Sequence, residues 1–285
     1  MKTRIISALV GTVVLLAVLL CPWVWVFALV VAAASGLAAY ELLHNTGIVK
    51  SNWMLWGSVV FAVLQTLIVS LWISLGVRIA VLLFALYSLF VLILFAVFRK
   101  SFVWKSFGLT LYATIGFGAL GFLRVTWGAL STLFGWTDVG VMFVLLPMVI
   151  AWMSDTGAYF TGVFFGKHKM APVISPKKTW EGFFGGWVIS IGLTVLYGVI
   201  CNAIMEYPMF DPVMLAVMAT ILAPLSVVGD LVASLIKRRT GIKDYGNIMP
   251  GHGGVMDRFD SVVFIAPMVL IALWVYMMLR WGVIR

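Results

Sequence analysis

Charged residues are scarce in this chain: Asp, Glu, Lys and Arg make up 10% of its 285 residues, while apolar residues make up 64%. A soluble domain needs a polar exterior, so this composition excludes an ordinary soluble fold. Nucleic-acid binding is not expected either, because there is no soluble domain to carry it. Apolar runs of the roughly 20 residues needed to cross a bilayer recur along the chain. The sequence therefore predicts an all-α polytopic membrane protein built as one helical bundle.

Cysteine is almost absent as well, with only Cys21 and Cys201, both at or within apolar segments. Neither has a CxxC or histidine neighbour, which argues against a redox or zinc role. Lys2 and Arg4 precede an apolar stretch, as in a secretory signal, but no small-residue cleavage site follows. We therefore expect the first stretch to be a helix of the bundle.

The apolar runs divide into about nine candidate membrane spans, separated by short polar or turn-forming segments. The predicted spans are 5–20, 23–43, 53–74, 77–98, 107–129, 139–162, 182–202, 212–235 and 259–281. Basic residues collect in cytoplasmic loops. With the N-terminus inside, fifteen of the nineteen Lys and Arg residues fall in inside segments. This bias predicts a cytoplasmic N-terminus, and basic inside loops also meet anionic headgroups.

Polar residues concentrate in two of these inside segments, and the later one begins at Asp230. A carboxylate at the membrane edge is costly and usually marks a functional site or a cation partner. Asp230, Ser234 and Lys237 have the spacing of one helix face, provided that the helix continues past Pro224. An Asp–Lys pair that merely ends a helix is the alternative.

The same segment ends in Asp257 and Asp260, three residues apart at the start of the last predicted span. Both can face one pocket at a helix N-terminus, where the helix dipole favours anions. Between Lys237 and Asp257 lies a glycine turn, 250–254, whose backbone can approach an anion closely. Hard Mg²⁺ binds a few carboxylates together with phosphate oxygens, so the segment has the ingredients of a metal–phosphate site. His252 in the turn fits phosphate binding or proton transfer, and fits an ordinary loop histidine equally well.

The segment from Ser234 to Asp260 resembles the signature of the phosphatidate cytidylyltransferase (CDP-diacylglycerol synthase) family. Met249, where the family usually has Leu, Ile or Phe, is a conservative departure. The matching positions are Ser234, Ile236, Lys237, Arg238, Lys243, Asp244, Pro250, His252, Gly253, Gly254, Asp257, Arg258 and Asp260.

Two further motifs are similar to those of the same family. F-G-K-H-K-M-A-P-V-I-S-P-K-K-T-W-E-G ends at Gly182, and S-D-T-G-A-Y contains Asp155 within an apolar span. Ser175 and Pro176 also fit the N-cap and first position of a short helix. The motifs run from about 151 to 260, and the first 140 residues resemble the family in hydropathy alone. We therefore divide the chain into N-terminal transmembrane helices (1–140) and a catalytic region (141–285).

The resemblance implies the conversion of CTP and phosphatidate to CDP-diacylglycerol and pyrophosphate at the cytoplasmic edge of the cell membrane. It implies Mg²⁺ as cofactor, and leaves a second cation and a homodimer open. The residues expected in catalysis are Asp230, Asp257, Asp260, Lys237, Arg238, Lys243, Asp244 and His252, of which Asp230, Asp257 and Asp260 are the expected metal ligands. Those expected to bind substrate are Ser234, Ser175, Lys177, Lys178, Thr179, Glu181, Gly253, Gly254, Arg258 and Asp155.

Two other functions are compatible with parts of this pattern. A CTP-dependent lipid-alcohol kinase would share the membrane setting and Mg²⁺ but would transfer the γ-phosphate. A transporter would also carry intramembrane charge, yet transporters usually show internal repeats and charges at the midplane. Here the charges cluster at one face and no clear repeat is visible, which disfavours a transporter.

Overall fold

The computed structural model describes residues 2–21, 23–71, 74–98, 102–133, 139–205, 208–249, 251 and 253–280. Within these ranges the chain is almost entirely helical, which confirms the predicted fold class. The α-helices are α1 (Lys2–Leu19), α2 (Val24–Tyr40), α3 (Asn52–Leu71), α4 (Ser74–Phe98), α5 (Phe102–Leu133), α6 (Gly140–Phe165), α7 (Trp180–Ile204), α8 (Pro212–Thr240) and α9 (Met256–Arg280). A π-helical turn, Glu41–Asn45, continues α2.

The nine helices correspond one to one to the nine predicted spans. Eight are long and apolar enough to cross a membrane, while α1 contributes the shorter apolar stretch Leu9–Leu19. Helix α8 runs through Pro224 to Thr240, as the predicted Asp230 face requires. A proline is tolerated inside such a helix because neighbouring groups can satisfy the freed carbonyl.

A β-hairpin between α6 and α7 was not predicted. Strand β1 (Lys169–Ala171) pairs antiparallel with β2 (Ser175–Thr179), so the interpretation of Ser175 and Pro176 as a helix start is wrong. Helix α7 begins five residues later, where the Thr179 hydroxyl accepts the Gly182 N–H at 3.2 Å. Thr179 is thus the N-cap, a position that threonine commonly fills.

The chain forms two compact units. The first comprises residues 1–129 and 237–259. Its core is partly aromatic: Phe61 stacks on Tyr87 with ring centroids 4.0 Å apart, and the Tyr87 hydroxyl lies 2.9 Å from Ser58 Oγ. The pairing of hydroxyl groups satisfies polar atoms that could not reach water in an apolar core.

The second unit comprises residues 130–236 and 260–285. Its central contact is the packing of α6 on α7, where small residues let the two backbones approach. A Cβ added at Gly157 would lie 3.0 Å from the Gly186 Cα, and one at Gly186 would overlap the Ser154 carbonyl oxygen. One turn further along α7, the Ser190 hydroxyl donates to the Ile150 carbonyl at 2.9 Å. Close approach through small residues is how membrane helices gain packing without a hydrophobic drive.

Candidate active site

A cavity of about 510 Å³ in the second unit is lined by α6, the β-hairpin, α7 and α8. Its walls combine apolar and aromatic side chains with a few convergent polar groups, the usual composition of a small-molecule site. The residues that line it and were predicted from the sequence are Asp155, Ser175, Lys177, Lys178, Thr179 and Asp230.

Asp230 forms an ion pair with Lys178 in this cavity. Lys178 Nζ lies 2.5 Å from Asp230 Oδ2, and the two side chains are 22% and 23% exposed. Lys178 Nζ itself is shielded from solvent and lacks hydrogen-bond geometry to its partner. Ser234 Oγ donates to Asp230 Oδ1 at 3.4 Å, which confirms the first two residues of the predicted face of α8, whereas the third, Lys237, pairs with Asp257. The cavity therefore holds an ammonium group that is shielded from solvent and lies beside a carboxylate.

Asp155 of α6 brings a second carboxylate to the same cavity. It interacts electrostatically with both Lys178 and Asp230. Ser261 Oγ contacts Asp155 Oδ2 at 3.4 Å and Asp260 Oδ1 at 3.3 Å. Asp260 is buried, and its Oδ1 also accepts the Ser261 N–H at 2.8 Å. Three of the predicted acidic residues are thus linked within the second unit, directly or through Ser261.

Glu181 organises the entry to the hairpin. Its carboxylate accepts the backbone N–H groups of Lys167 at 3.1 Å and His168 at 3.2 Å, and it contacts His168 Nδ1 at 2.5 Å. Because these contacts hold the chain immediately before β1, Glu181 orients the segment that carries the cavity lysines.

A second polar cluster lies in the first unit, around Asp257. Lys237 Nζ donates to Asp257 Oδ1 at 2.9 Å. Asp257 Oδ2 accepts the N–H groups of Tyr245 at 2.7 Å and Gly254 at 3.0 Å. Lys237 also lies over the Tyr245 ring, 5.1 Å from its centroid. A carboxylate that accepts several charge-assisted bonds is held in one orientation.

Two glycines of the turn, Gly251 and Gly253, have the positive φ that the sequence predicts. Gly251 and Gly253 have φ values of 78° and 87°, in the region that favours glycine. A Cβ at Gly253 would lie 2.7 Å from Asp257 Oδ2, so the turn approaches that carboxylate closely. The anion that the backbone N–H of Gly254 meets here is Asp257 itself.

Glu41 is a member of this cluster that sequence reasoning missed. It is 1% exposed, and its two carboxylate oxygens accept the N–H groups of Val255 at 3.0 Å and Met256 at 2.8 Å. One signal could have found it, because Glu41 is an acidic residue inside a predicted membrane span. The local pattern around Glu41 does not reveal that its partners lie more than 200 residues away.

His252 and Pro250 lie outside the described residues. Arg238, Lys243, Asp244 and Arg258 are exposed, as is Lys177 at the cavity.

No group of three or more His, Cys, Asp or Glu side chains is arranged to hold a metal ion in the part of the chain that the structure describes. Asp257 belongs to the first unit, whereas Asp230 and Asp260 belong to the second. That these three carboxylates share one cation therefore stays a prediction.

The fold and the cavity define a polytopic helical membrane protein in which carboxylates of α6 and α8 and lysines of the β-hairpin line one cavity. Residues 2–276 match the model of the cytidylyltransferase family, and the chain belongs to that family.

Curated relatives share substantial identity with the chain, and each is named phosphatidate cytidylyltransferase. The protein of Staphylococcus aureus is 40% identical over 177 residues, which is 61% of either chain. That of Staphylococcus epidermidis is 38% identical over 175 residues, again 61% of either chain. That of Staphylococcus haemolyticus is 37% identical over 189 residues, or 65% of this chain and 66% of the relative. The matches thus span less than two thirds of the relatives' length.

Proposed function

We propose that this protein is a CTP:phosphatidate cytidylyltransferase, which converts CTP and phosphatidate to CDP-diacylglycerol and pyrophosphate. The observation that carries the proposal is the cavity of the second unit, where Asp155, Lys178 and Asp230 meet beside Lys177. Carboxylates and lysines in one cavity suit a polyphosphate that binds with a cation. The names of the relatives support the same reaction.

The chemistry requires positioning more than it requires a base. The phosphate of phosphatidate is already ionised, so one of its oxygens can attack the α-phosphorus of CTP directly. A P–O bond forms, the bond between the α- and β-phosphates breaks, and pyrophosphate leaves with the electron pair. Aligning two anions and neutralising their charge are the tasks left to the protein. A Ser–His–Asp arrangement is not needed for such a step.

Basic residues in two places neutralise the charge of the substrates. Lys178 and Lys177 face the cavity and neutralise phosphate oxygens, while Ser175 and Thr179 orient the hairpin that carries them. Lys237, Arg238, Lys243 and Arg258 supply further positive charge along the segment from 237 to 258. Asp244 and His252 remain candidate catalytic residues on the same segment.

The carboxylates of the cavity fit a hard divalent cation. Asp155 and Asp230 offer oxygen ligands, and their electrostatic interaction indicates that they are close. Mg²⁺ commonly uses one or two carboxylates and takes its other ligands from substrate phosphates and water. We propose Asp230 and Asp260 as metal ligands within the second unit, with Asp155 supporting Asp230; metal binding by Asp257 stays a prediction. The bound cation would neutralise developing charge on the phosphates.

Asp257 is already engaged by three donors in the first unit. A metal contact from Asp257 would therefore use the remaining lone pair of Oδ1 or displace Lys237. A variant series that compares Asp230→Asn with Asp257→Asn separates these two carboxylates.

The setting of the reaction follows from the substrates. Phosphatidate is held in the bilayer and CTP is dissolved in the cytosol, so the site must open to both. We propose a multi-pass protein of the cell membrane whose polar segments face the cytoplasm, because fifteen of its nineteen basic residues then lie inside. A homodimer is compatible with this arrangement. Size-exclusion chromatography with light scattering measures the oligomeric state of the purified protein.

The test is a reconstitution with defined substrates. Purified protein in detergent receives CTP, Mg²⁺ and phosphatidate, with each omitted in turn, and the products are identified by mass spectrometry. We expect CDP-diacylglycerol and pyrophosphate only in the complete mixture. CDP together with a phosphorylated lipid would instead indicate the lipid-kinase reaction, and no CDP-lipid at all would refute the proposal.

Two carboxylate variants sharpen the test. Asp230→Asn and Asp257→Asn should each lower turnover by about 100-fold or more, since each removes a predicted carboxylate ligand of the cation that neutralises the reacting phosphates. Asp211→Asn is the matched control, because Asp211 Oδ1 accepts N–H groups of Val213 and Met214 at the start of α8 and an amide oxygen can do the same. Near-normal turnover by folded Asp257→Asn would remove that residue from the mechanism.

A further inference from the structure

We propose that Glu41 is a positioning residue: it fixes the loop 241–255 and the first turn of α9, and through them the Asp257 carboxylate. The proposal rests on the cytidylyltransferase function argued above, and it deepens that function with a residue outside the motif region.

Glu41 binds the start of α9 with both carboxylate oxygens. The bonds to the Val255 and Met256 N–H groups are 3.0 and 2.8 Å long, and α9 begins at Met256. The first N–H groups of a helix have no partner within the helix. A carboxylate there satisfies two of these donors and interacts favourably with the helix dipole.

Asp257 follows directly on the residues that Glu41 holds. The loop wraps this carboxylate from the other side, because Tyr245 and Gly254 donate to Asp257 Oδ2. Movement of the 254–256 backbone would therefore shift both Asp257 and one of its donors.

The π-helical turn that carries Glu41 makes a second contact with the loop. Asn45 Nδ2 donates to the Tyr245 carbonyl at 2.6 Å. Tyr245 is thus held through its carbonyl by Asn45 and through its N–H by Asp257. Departures from α-helical geometry of this kind are frequent at functional sites, and here the turn supplies both anchors.

Two glycines admit the Glu41 side chain to this position. A Cβ at Gly246 would lie 2.6 Å from Glu41 Oε1, and a Cβ at Gly254 would overlap the same carboxylate. The Glu41 carboxylate therefore occupies space that a side chain at Gly246 or Gly254 would fill. An ionisable group within a membrane-spanning segment is costly and is usually functional, and the N–H partners of Glu41 give it a defined task.

Glu41→Gln tests the proposal. Its amide keeps one acceptor oxygen but turns an N–H donor toward a backbone N–H, so one anchor is lost without a change of volume. Residues that orient a catalytic group typically cost about 10- to 100-fold in activity when they are changed. We expect kcat to fall by that factor while KM for CTP stays within about threefold, because a lost transition-state interaction lowers kcat rather than ground-state binding.

Hydrogen exchange provides a readout that does not depend on activity. Peptides covering 241–257 should exchange faster in Glu41→Gln than in the unaltered protein. Thr66→Val is the matched control in the same unit, since it removes a buried hydrogen bond to Ser35 away from the loop. It should leave kcat and the exchange of 241–257 unchanged. If the unaltered protein makes no CDP-lipid, the function fails, while the exchange comparison still decides whether Glu41 holds the loop.

Unchanged kcat and unchanged exchange in folded Glu41→Gln would overturn the proposal. So would a loss of kcat that Thr66→Val reproduces at the same thermal stability. Asn45→Ala covers the case in which Glu41→Gln does not fold, because it keeps the carboxylate and removes only the Tyr245 anchor. It should show faster loop exchange and a lower kcat, and the absence of both effects would equally overturn the proposal.

Discussion

At the residue scale, two of the predicted aspartates are each paired with a lysine. Lys178 accompanies Asp230 in the second unit, and Lys237 accompanies Asp257 in the first. The motifs alone do not show which lysine pairs with which aspartate, since the motifs contain several lysines. Pairing offsets part of the cost of a charge at the membrane edge, where an isolated charge would be expensive.

The Lys178–Asp230 pair predicts a coupled effect on stability. Lys178→Met should lower the free energy of unfolding by about 1–2 kcal/mol, because it leaves Asp230 uncompensated in the cavity. This is below the roughly 3–5 kcal/mol for a fully buried pair, since about a fifth of each side chain is exposed. Asp230→Asn should cost a similar amount, and the double variant less than the sum of the two. Thermal denaturation in detergent measures all three.

The control for this cycle is Lys177→Met, the exposed neighbour in β2. Surface changes of this kind usually stay within about 0.5 kcal/mol. Strict additivity of Lys178→Met and Asp230→Asn would show that the two charges do not stabilise each other.

At the element scale, the α6–α7 contact determines where the cavity lies. Gly186 lets α7 approach the α6 backbone, and Thr179 starts α7 directly after the hairpin. The same small residues would be compatible with a contact between two copies of the chain. The structure uses them within the second unit instead.

Gly186→Ala should therefore destabilise the protein. The added methyl group would overlap the Ser154 carbonyl and approach the Ala158 backbone, neither of which can move aside as a side-chain tip can. Overpacking of this kind costs about 1–3 kcal/mol. Melting temperatures in detergent report the change, and turnover should fall with it because the hairpin shifts.

Gly192→Ala in the same helix is the matched control, since a Cβ at Gly192 has nothing within 4 Å. Alanine is favoured over glycine in a helix interior by about 0.5–1 kcal/mol. This variant should be neutral or slightly stabilising. Equal losses in both variants would mean that overlap at the α6–α7 contact does not explain the effect of Gly186→Ala.

At the scale of the whole molecule, the orientation in the membrane can be tested with the sparse cysteines. Cys21→Ser and Cys201→Ser give a cysteine-free background. In that background Asn247→Cys should react with a membrane-impermeant maleimide only after the cells are permeabilised, because the loop 241–255 is expected inside. Glu206→Cys, in an expected outer connection, should react in intact cells. The opposite pattern would reverse the proposed topology.

Features that depend on interactions local in sequence could be predicted, whereas features that depend on distant contacts could not. Helices, their number and their approximate ends could be predicted because apolar run length is a local property. The β-hairpin at 169–179 could not, because its strands, Lys169–Ala171 and Ser175–Thr179, are short and carry no apolar alternation. The Asp230–Ser234 face could be predicted from spacing, since helical geometry sets it.

Composition and the lengths of the apolar runs were enough to predict a helical membrane protein, and motif spacing predicts a metal-and-phosphate site between 230 and 260, because both are local properties of the sequence. The pairing of each lysine with its aspartate is visible only in the tertiary structure. So is the hydrogen bonding of Glu41 to the start of α9, more than 200 residues away. Such contacts depend on how the helices pack, and packing joins residues whose separation in sequence carries no signal.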